Sequence, residues 1–445
     1  MGYTFSTRGR RMATALAVTA ALGVAACGSD DDAEEPSGPS ADATPAAGAS
    51  VPEPIEGGAT PEDIKYCDNP TETVKIGSAF ELSGPILSFG QPSSQGVQMA
   101  AKEISDKGGF EVDGKCYEIQ LVERDVRSDA STTVATTRGL LRDEGVDVIF
   151  GPTAGSLSSQ AGQISQSEDG PKPIHFGAGT GWELAGLMGQ EDTRGLFRTS
   201  IPANLAAESF LAGVKQYAPD VKSIYFLYQD DDASKYNLDE NVIPQAEKLG
   251  YEVAGNDRFP LDTTDFSSYL LRIKAANPDM ASFGYLTPIN TQLAKQASEL
   301  DLSGPYHGWA ASVSIPLKDA TGSPLDVPYF ASYQVPDLLY PQTPAMEDYL
   351  ERFKAFTGEE PNASSYFSLW YYDPFYMLIK AMQDAGTTTD REKIREALSK
   401  VQWDGALGPE CWDANNTAVY GTYIGYVENG ETQWFSYPQR GDLCA

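Results

Sequence analysis

Three short loops of this 445-residue chain carry the residue types best suited to gripping a ligand. Each follows an apolar run of strand length. Leu82-Ser83-Gly84-Pro85 follows Val74 to Phe80; Thr153-Ala154-Gly155-Ser156 follows Val146 to Phe150; Gly177-Ala178-Gly179-Thr180-Gly181 follows Pro173 to Phe176. Loops of this kind offer backbone N–H groups and hydroxyls at or near helix starts, a setting for a carboxylate or another anion. Ser156 and Thr180 serve equally well as plain helix caps, and one hydroxyl can do both.

Other chemistry is thinly supplied. The two histidines, His175 and His307, lie far apart in sequence, which argues against His-based catalysis and a zinc site. His175 sits on an apolar strand and reads as a satisfied core histidine. Ser156 stands in neither Gly-x-Ser-x-Gly nor Ser-x-x-Lys, and the chain has no HExxH and no P-loop. Asp230-Asp231-Asp232 lacks the alternating ligands, turn glycine and distal glutamate of a calcium loop, so it reads as a solvated run. The expectation is a binding protein, not an enzyme, with no metal and no cofactor.

The elements that must position these loops alternate between strand and helix. After the first loop, Val97, Ala100, Ala101 and Ile104 recur at helical spacing from about Ser93, and Lys107-Gly108-Gly109 ends the helix. Tyr117 to Arg124 reads as a strand, Ser131 to Glu144 as a helix, and a further helix runs from about Ser158. The pattern restarts beyond Arg198, with strands at Ser223–Tyr228, Glu252–Phe259, Met280–Tyr285, Tyr306–Trp309 and Val327–Tyr333. From Pro344 the chain turns helical. There Trp370, Tyr371, Tyr372, Phe375 and Tyr376 read as core or interlobe packing rather than a ligand cage. Asn429-Gly430 between two apolar segments signals a hairpin. This is an α/β fold, and in open α/β sheets ligands bind outside the carboxyl ends of the strands.

Length favours two lobes. The net charge of −31 argues against nucleic acid as a partner and fits a soluble, self-repelling surface. At the N-terminus, Arg8, Arg10 and Arg11 precede an apolar stretch from Met12 to Ala26, too short to span a membrane and suited to a signal peptide, residues 1–26. Val24-Ala25-Ala26-Cys27 resembles a bacterial lipobox, which implies cleavage before Cys27 and lipidation of that residue. Residues 27–70 then comprise the lipidated cysteine and a tether rich in Ala, Pro, Gly, Ser and acids, unable to bury enough apolar surface to order itself. Cys67, Cys116, Cys411 and Cys444 remain, and an even count in an exported chain points to disulfides. Three connectivities are open. Cys67 and Cys116 each precede a strand, and these strands are neighbours in a doubly wound sheet, so Cys67–Cys116 with Cys411–Cys444 is the natural set.

The order of these units carries a resemblance. Ser83-Gly84-Pro85, Phe89-Gly90, the helix ending in Gly108-Gly109, and above all Asp265-Phe266-Ser267 leading through Pro278-Asp279 into a strand ending at Gly284, together resemble the branched-chain amino acid (leucine/isoleucine/valine) binding proteins of ABC importers. The resemblance covers about residues 71–445. It implies the type I periplasmic-binding fold: two Rossmann-like lobes with parallel sheets, joined by three crossovers near Thr199, Tyr333 and Gly408. Lobe 1 would hold residues 71–198 and 334–407, and lobe 2 residues 199–333 and 408–445. It implies a monomer that captures a small molecule by hinge closure and delivers it to permease subunits in the membrane, outside the cytoplasm; a ligand-sensing receptor of the same fold is the alternative. Its implied ligand residues are Ser83, Phe89, Gly155, Ser156, Ala178, Gly179, Thr180, Tyr236, Tyr285 and Ala310. One departure stands out. The family's amino acid binders place an acid after the strand near Gly308, and here the run is Trp309-Ala310-Ala311. Without that carboxylate a buried ammonium lacks its partner, which turns the expectation toward an amine-free acid, an amide or a urea-like compound.

Overall fold

The two βα series close into two separate sheets. The first is built from β1 (Glu72–Phe80), β2 (Phe110–Val112), β3 (Lys115–Asp125), β4 (Val148–Phe150), β5 (Ile174–Gly177) and β6 (Leu196–Arg198), in the spatial order β2-β3-β1-β4-β5-β6. Only the β2–β3 pair is antiparallel. Helices α1 (Leu87–Asp106), α2 (Ala130–Arg142), α3 (Gly155–Gln166) and the short α4 (Gly181–Leu184) connect these strands. The structure is a computed structural model that describes residues 57–167, 172–179, 181–260, 262–284, 287–309, 317, 319, 321–323, 325–333, 343–362, 364–437 and 443–444.

The second series runs through α5 (Ala203–Tyr217), β7 (Ser223–Gln229), α6 (Asp232–Lys235), a π-helical stretch (Tyr236–Val242), α7 (Ile243–Lys248), β8 (Glu252–Phe259), α8 (Ser267–Ala276), β9 (Met280–Phe283), α9 (Thr287–Glu299), β10 (Tyr306–Trp309) and β11 (Tyr329–Tyr333). Helices α10 (Pro344–Thr357), α11 (Leu369–Ala385) and α12 (Arg391–Leu398) follow. A three-stranded sheet of β12 (Trp403–Gly405), β13 (Gly408–Trp412) and β14 (Ala418–Tyr420) comes next, then the hairpin β15 (Thr422–Glu428) and β16 (Glu431–Tyr437). The hairpin joins the second sheet, whose order is β16-β15-β11-β10-β9-β7-β8. Asn429 and Gly430 turn it with φ of 54° and 78°, the left-handed pair that matches strand twist.

Each sheet has its own core. Ile76, Phe80, Phe150 and Phe176 of the first sheet pack against Tyr371, Phe375 and Tyr376 of α11, so the aromatic run is core. Trp412 and Tyr420, from the small sheet, belong to that same core. In the second sheet β7 splits its side chains by strand periodicity. Phe226 and Tyr228 face α5 residues Phe210 and Val214, whereas Tyr225 and Leu227 face α8 residues Leu270 and Ile273. Cys67 is bonded to Cys116 and Cys411 to Cys444, with Cα atoms 5.8 Å and 5.7 Å apart. Among the described residues, no helix is long and apolar enough to cross a membrane.

Helix α1 begins at Leu87, six residues before the expected Ser93, and carries Pro92 inside it. Apolar spacing cannot show those first turns, because they are held by contact with the preceding loop. Gly90 lies so close to the backbone of Glu81 that a Cβ there would collide with it.

Candidate ligand site at the strand ends

The carboxyl ends of β1, β4 and β5 bring the first-sheet loops together around the start of α3. That helix has Ala154 at its N-cap, with no side chain to cap it. The first N–H groups of a helix have no partner within it and carry its positive dipole end. Gly155 opens the helix half-buried, and Ser156 after it is exposed. The β5 loop abuts this point. A Cβ on Gly179 would lie 3.1 Å from the Gly155 Cα, and one on Gly181 would run into the Gly155 carbonyl. Gly179 has a φ of +76° and donates its N–H to Ser200 Oγ at 3.0 Å. Glycine is needed here both for the left-handed backbone and for the close approach of two loops. Ala178, wholly buried beside it, belongs to the first core.

A side chain outside the expected set holds this arrangement. Glu81, the first residue after β1, is 0% exposed. Its carboxylate accepts the N–H of Ala154 at 2.9 Å and that of Thr153 at 3.2 Å, the two residues just ahead of α3. Burial pushes the Glu81 pKa up, and these amide bonds pull it back. Thr153 in turn donates its hydroxyl to Ser93 Oγ at 2.8 Å, and Ser93 donates to the Phe89 carbonyl at 2.8 Å. Tyr371 and Ser158 both donate to the Pro152 carbonyl, at 3.1 Å and 2.7 Å. The sequence signal for Glu81 was an acid interrupting the apolar run Ala79-Phe80-Glu81-Leu82.

The remaining expected residues spread more widely. Ser83 is exposed and donates its hydroxyl to Asp125 Oδ2 at 2.6 Å, so it closes the β1 loop onto the end of β3. Phe89 is half-buried and packs on Phe367 with ring centroids 4.6 Å apart and the rings tilted by 41°. Tyr236, in the second lobe, is half-buried at the start of the π-helical stretch, and its carbonyl accepts from Asn241 Nδ2 at 3.0 Å. Such π-turns recur at functional sites. Trp309, at the end of β10, packs against the cores of both lobes. Cys27, Thr180, Tyr285 and Ala310 lie outside the described residues.

Both histidines are core residues. His175 Nε2 faces the Gly151 carbonyl at 2.6 Å, which only accepts, so Nε2 carries the proton and Nδ1 takes the Ser165 hydroxyl at 2.8 Å. Burial brings its pKa down to about 4. His307 bridges Ser282 and Ser332, at 2.8 Å and 2.6 Å, and stacks on Phe210. Among the described residues, no group of three His, Cys, Asp or Glu could hold a metal ion.

Comparison with known proteins bears on the family and the fold. The profile of the family described as periplasmic binding protein matches residues 73–432. A Leu/Ile/Val-binding protein homologue of Brucella abortus is 26% identical over 349 residues, covering 74% of this chain and 81% of its own. Among solved structures, a leucine-binding protein of Thermotoga maritima superposes with a TM-score of 0.65 at 22% identity, covering 83% of this chain and 100% of its own. A solute-binding protein of an ABC transporter from R. palustris, solved with benzoate, gives a TM-score of 0.64 at 17% identity over 84% of this chain and 98% of its own. The chain belongs to the periplasmic binding protein family, a family of binding proteins rather than enzymes.

Proposed function

We propose that the protein is the lipid-anchored, extracytoplasmic solute-binding component of an ABC importer, and that it grips the carboxylate or amide end of a small ligand at the start of α3. The observation that carries this reading is the uncapped N-terminus of α3, walled by the Gly179 loop and braced from behind by Glu81. Relatives of the same fold have been solved with isoleucine and with benzoate. The group those two ligands share is a carboxylate. Ser156, Gly155 and Thr180 would take that group, Gly179 would wall it, Phe89 would pack on the ligand's body, and Tyr236, Tyr285 and the Ala310 segment would close on it from lobe 2. With no acid at Ala310, amine-free acids and amides are favoured over α-amino acids. Anchoring rests on the lipobox-like run ending at Cys27.

Hinge closure would run through crossovers near Thr199 and Tyr333. We infer a third crossover at Gly421 rather than near Gly408; the packing of Trp412, Ala418 and Tyr420 in the first core and of Ile424 in the second supports it. The test is a thermal-shift screen of the chain against leucine, isoleucine, valine, benzoate, benzamide and urea. A ligand at 100 times its Kd adds about 2.7 kcal/mol of stability. Stabilisation by benzoate or benzamide but not by the amino acids is the expected result. No shift with any of these would overturn the reading.

A further inference from the structure

Glu81 stands in an electrostatically awkward place. It is wholly buried, yet both carboxylate oxygens bond to the amides of Thr153 and Ala154 at the positive end of α3. A carboxylate ligand on the next N–H groups, those of Gly155 to Leu157, would lie on the order of 6 Å from it, given the 3.8 Å residue spacing of the backbone. Two carboxylates at that distance repel, and the repulsion raises further the pKa of the one already buried. We propose that Glu81 is the charge gate of the cradle: docking of a carboxylate at α3 draws one proton from solvent onto the Glu81 carboxyl, whereas docking of an amide draws none. The proton goes to Oε2, the oxygen with the longer bond to Thr153, and Oε1 keeps the Ala154 N–H. This inference rests on the ligand site assigned above.

The groups facing Glu81 leave it as the acceptor. From β3 comes Asp125, whose carboxylate is held ionised by the Ser83 hydroxyl and the amides of Arg127 and Leu82, against its partial burial. From α11 comes the phenol of Tyr371, buried and protonated throughout the neutral range. From β5, His175 backs the same loop through Gly151 and is neutral above about 4. Helices α1 and α3 contribute the hydroxyls of Ser93 and Ser158. The carboxyl, rather than a basic group, makes the gate discriminate. An anionic ligand binds less tightly as pH rises through the window between the free and bound states of Glu81, by up to about tenfold per pH unit. A neutral amide shows no such slope.

The test is calorimetric titration of the full chain with benzoate, 4-hydroxybenzoate and benzamide between pH 5.5 and 8.5, in phosphate and in Tris. These buffers differ in ionisation enthalpy, so the difference between them counts protons. The expected result is uptake approaching one proton with benzoate or 4-hydroxybenzoate and none with benzamide. In Glu81→Gln the uptake disappears and the carboxylate affinity becomes flat with pH. Carboxylate binding with no proton uptake anywhere in the range overturns the gate and leaves the ligand site standing; this result needs only the unmutated chain, so it holds even where the variant does not fold. Unchanged uptake in Glu81→Gln also overturns it. Failure of all three probes to bind removes both the site and the gate.

Discussion

Two buried glutamates of the first lobe, Glu81 and Glu410, meet opposite fates. Both are 0% exposed. Glu81 lies at a strand end and accepts two backbone amides. Glu410 lies within β13, and neither of its oxygens has a hydrogen-bond partner among the described residues. Asp373 of α11, an acid whose charge acts on Glu410, accepts the Ala406 and Leu407 amides at 3.1 Å and 2.8 Å and the Trp403 indole at 3.2 Å. Burial raises Asp373 to about 6 despite these donors, and raises Glu410 well above its ordinary range, with Asp373 adding repulsion. The difference teaches that burial alone does not mark a working acid. A buried carboxylate organises its surroundings where donors converge on it, and is carried as a neutral acid where they do not.

The largest expected effect breaks the first half of that contrast. Glu81→Ala strands the buried Thr153 N–H and the half-buried Ala154 N–H, each costing up to about 1–3 kcal/mol. Urea denaturation should show a loss of roughly 2–6 kcal/mol on that basis, and ligand-induced thermal shifts should vanish. A loss below 1 kcal/mol with binding intact would place Glu81 with Glu410 instead. Next comes Asp373→Asn, which turns one of the accepting oxygens into a donor against a buried N–H. A cost of about 1–3 kcal/mol is expected by the same penalty, without change in ligand affinity.

Glu410→Met sharpens the contrast by its sign. A carboxyl whose folded pKa is raised contributes its stability at low pH and loses it as pH climbs from the unfolded value toward the folded one. The wild type should therefore weaken relative to Glu410→Met by about 1.4 kcal/mol per pH unit once pH exceeds the unfolded value near 4.3, and the difference between the two should become constant in acid. Parallel stability curves across pH would mean that Glu410 has an ionised partner after all. The smallest effect belongs to Ser83→Ala. Its hydroxyl is one of several donors to Asp125, alongside the amides of Leu82 and Arg127. About 0.5–1.5 kcal/mol of stability should be lost, with ligand affinity unchanged; a tenfold loss of affinity would instead restore the ligand role expected for Ser83.

What could be read from the sequence followed the strength of local pattern. The βα alternation, the Asn429-Gly430 hairpin and the buried aromatic face of α11 all rest on periodicity or turn chemistry within one element. The small sheet of β12 to β14 could not be read that way. Trp403–Gly405 and Ala418–Tyr420 are only three residues long, and their pairing depends on packing under α11. The same reason hid the early start of α1. At the candidate site, glycines and hydroxyls pointed to loops that the fold brings together, because small residues are required where two backbones meet. The brace was harder to see, since Glu81 reaches the α3 start across 72 residues of sequence to Thr153, a link made only by the parallel pairing of β1 with β4.

The most direct measurement is a crystal structure of the chain with the best-binding carboxylate or amide from the thermal-shift screen. The account predicts the ligand's oxygen within hydrogen-bond distance of the Gly155–Leu157 amides, about 2.7–3.2 Å, with Glu81 still bonded to Ala154. A ligand seated away from α3, with those amides facing only water, would contradict it.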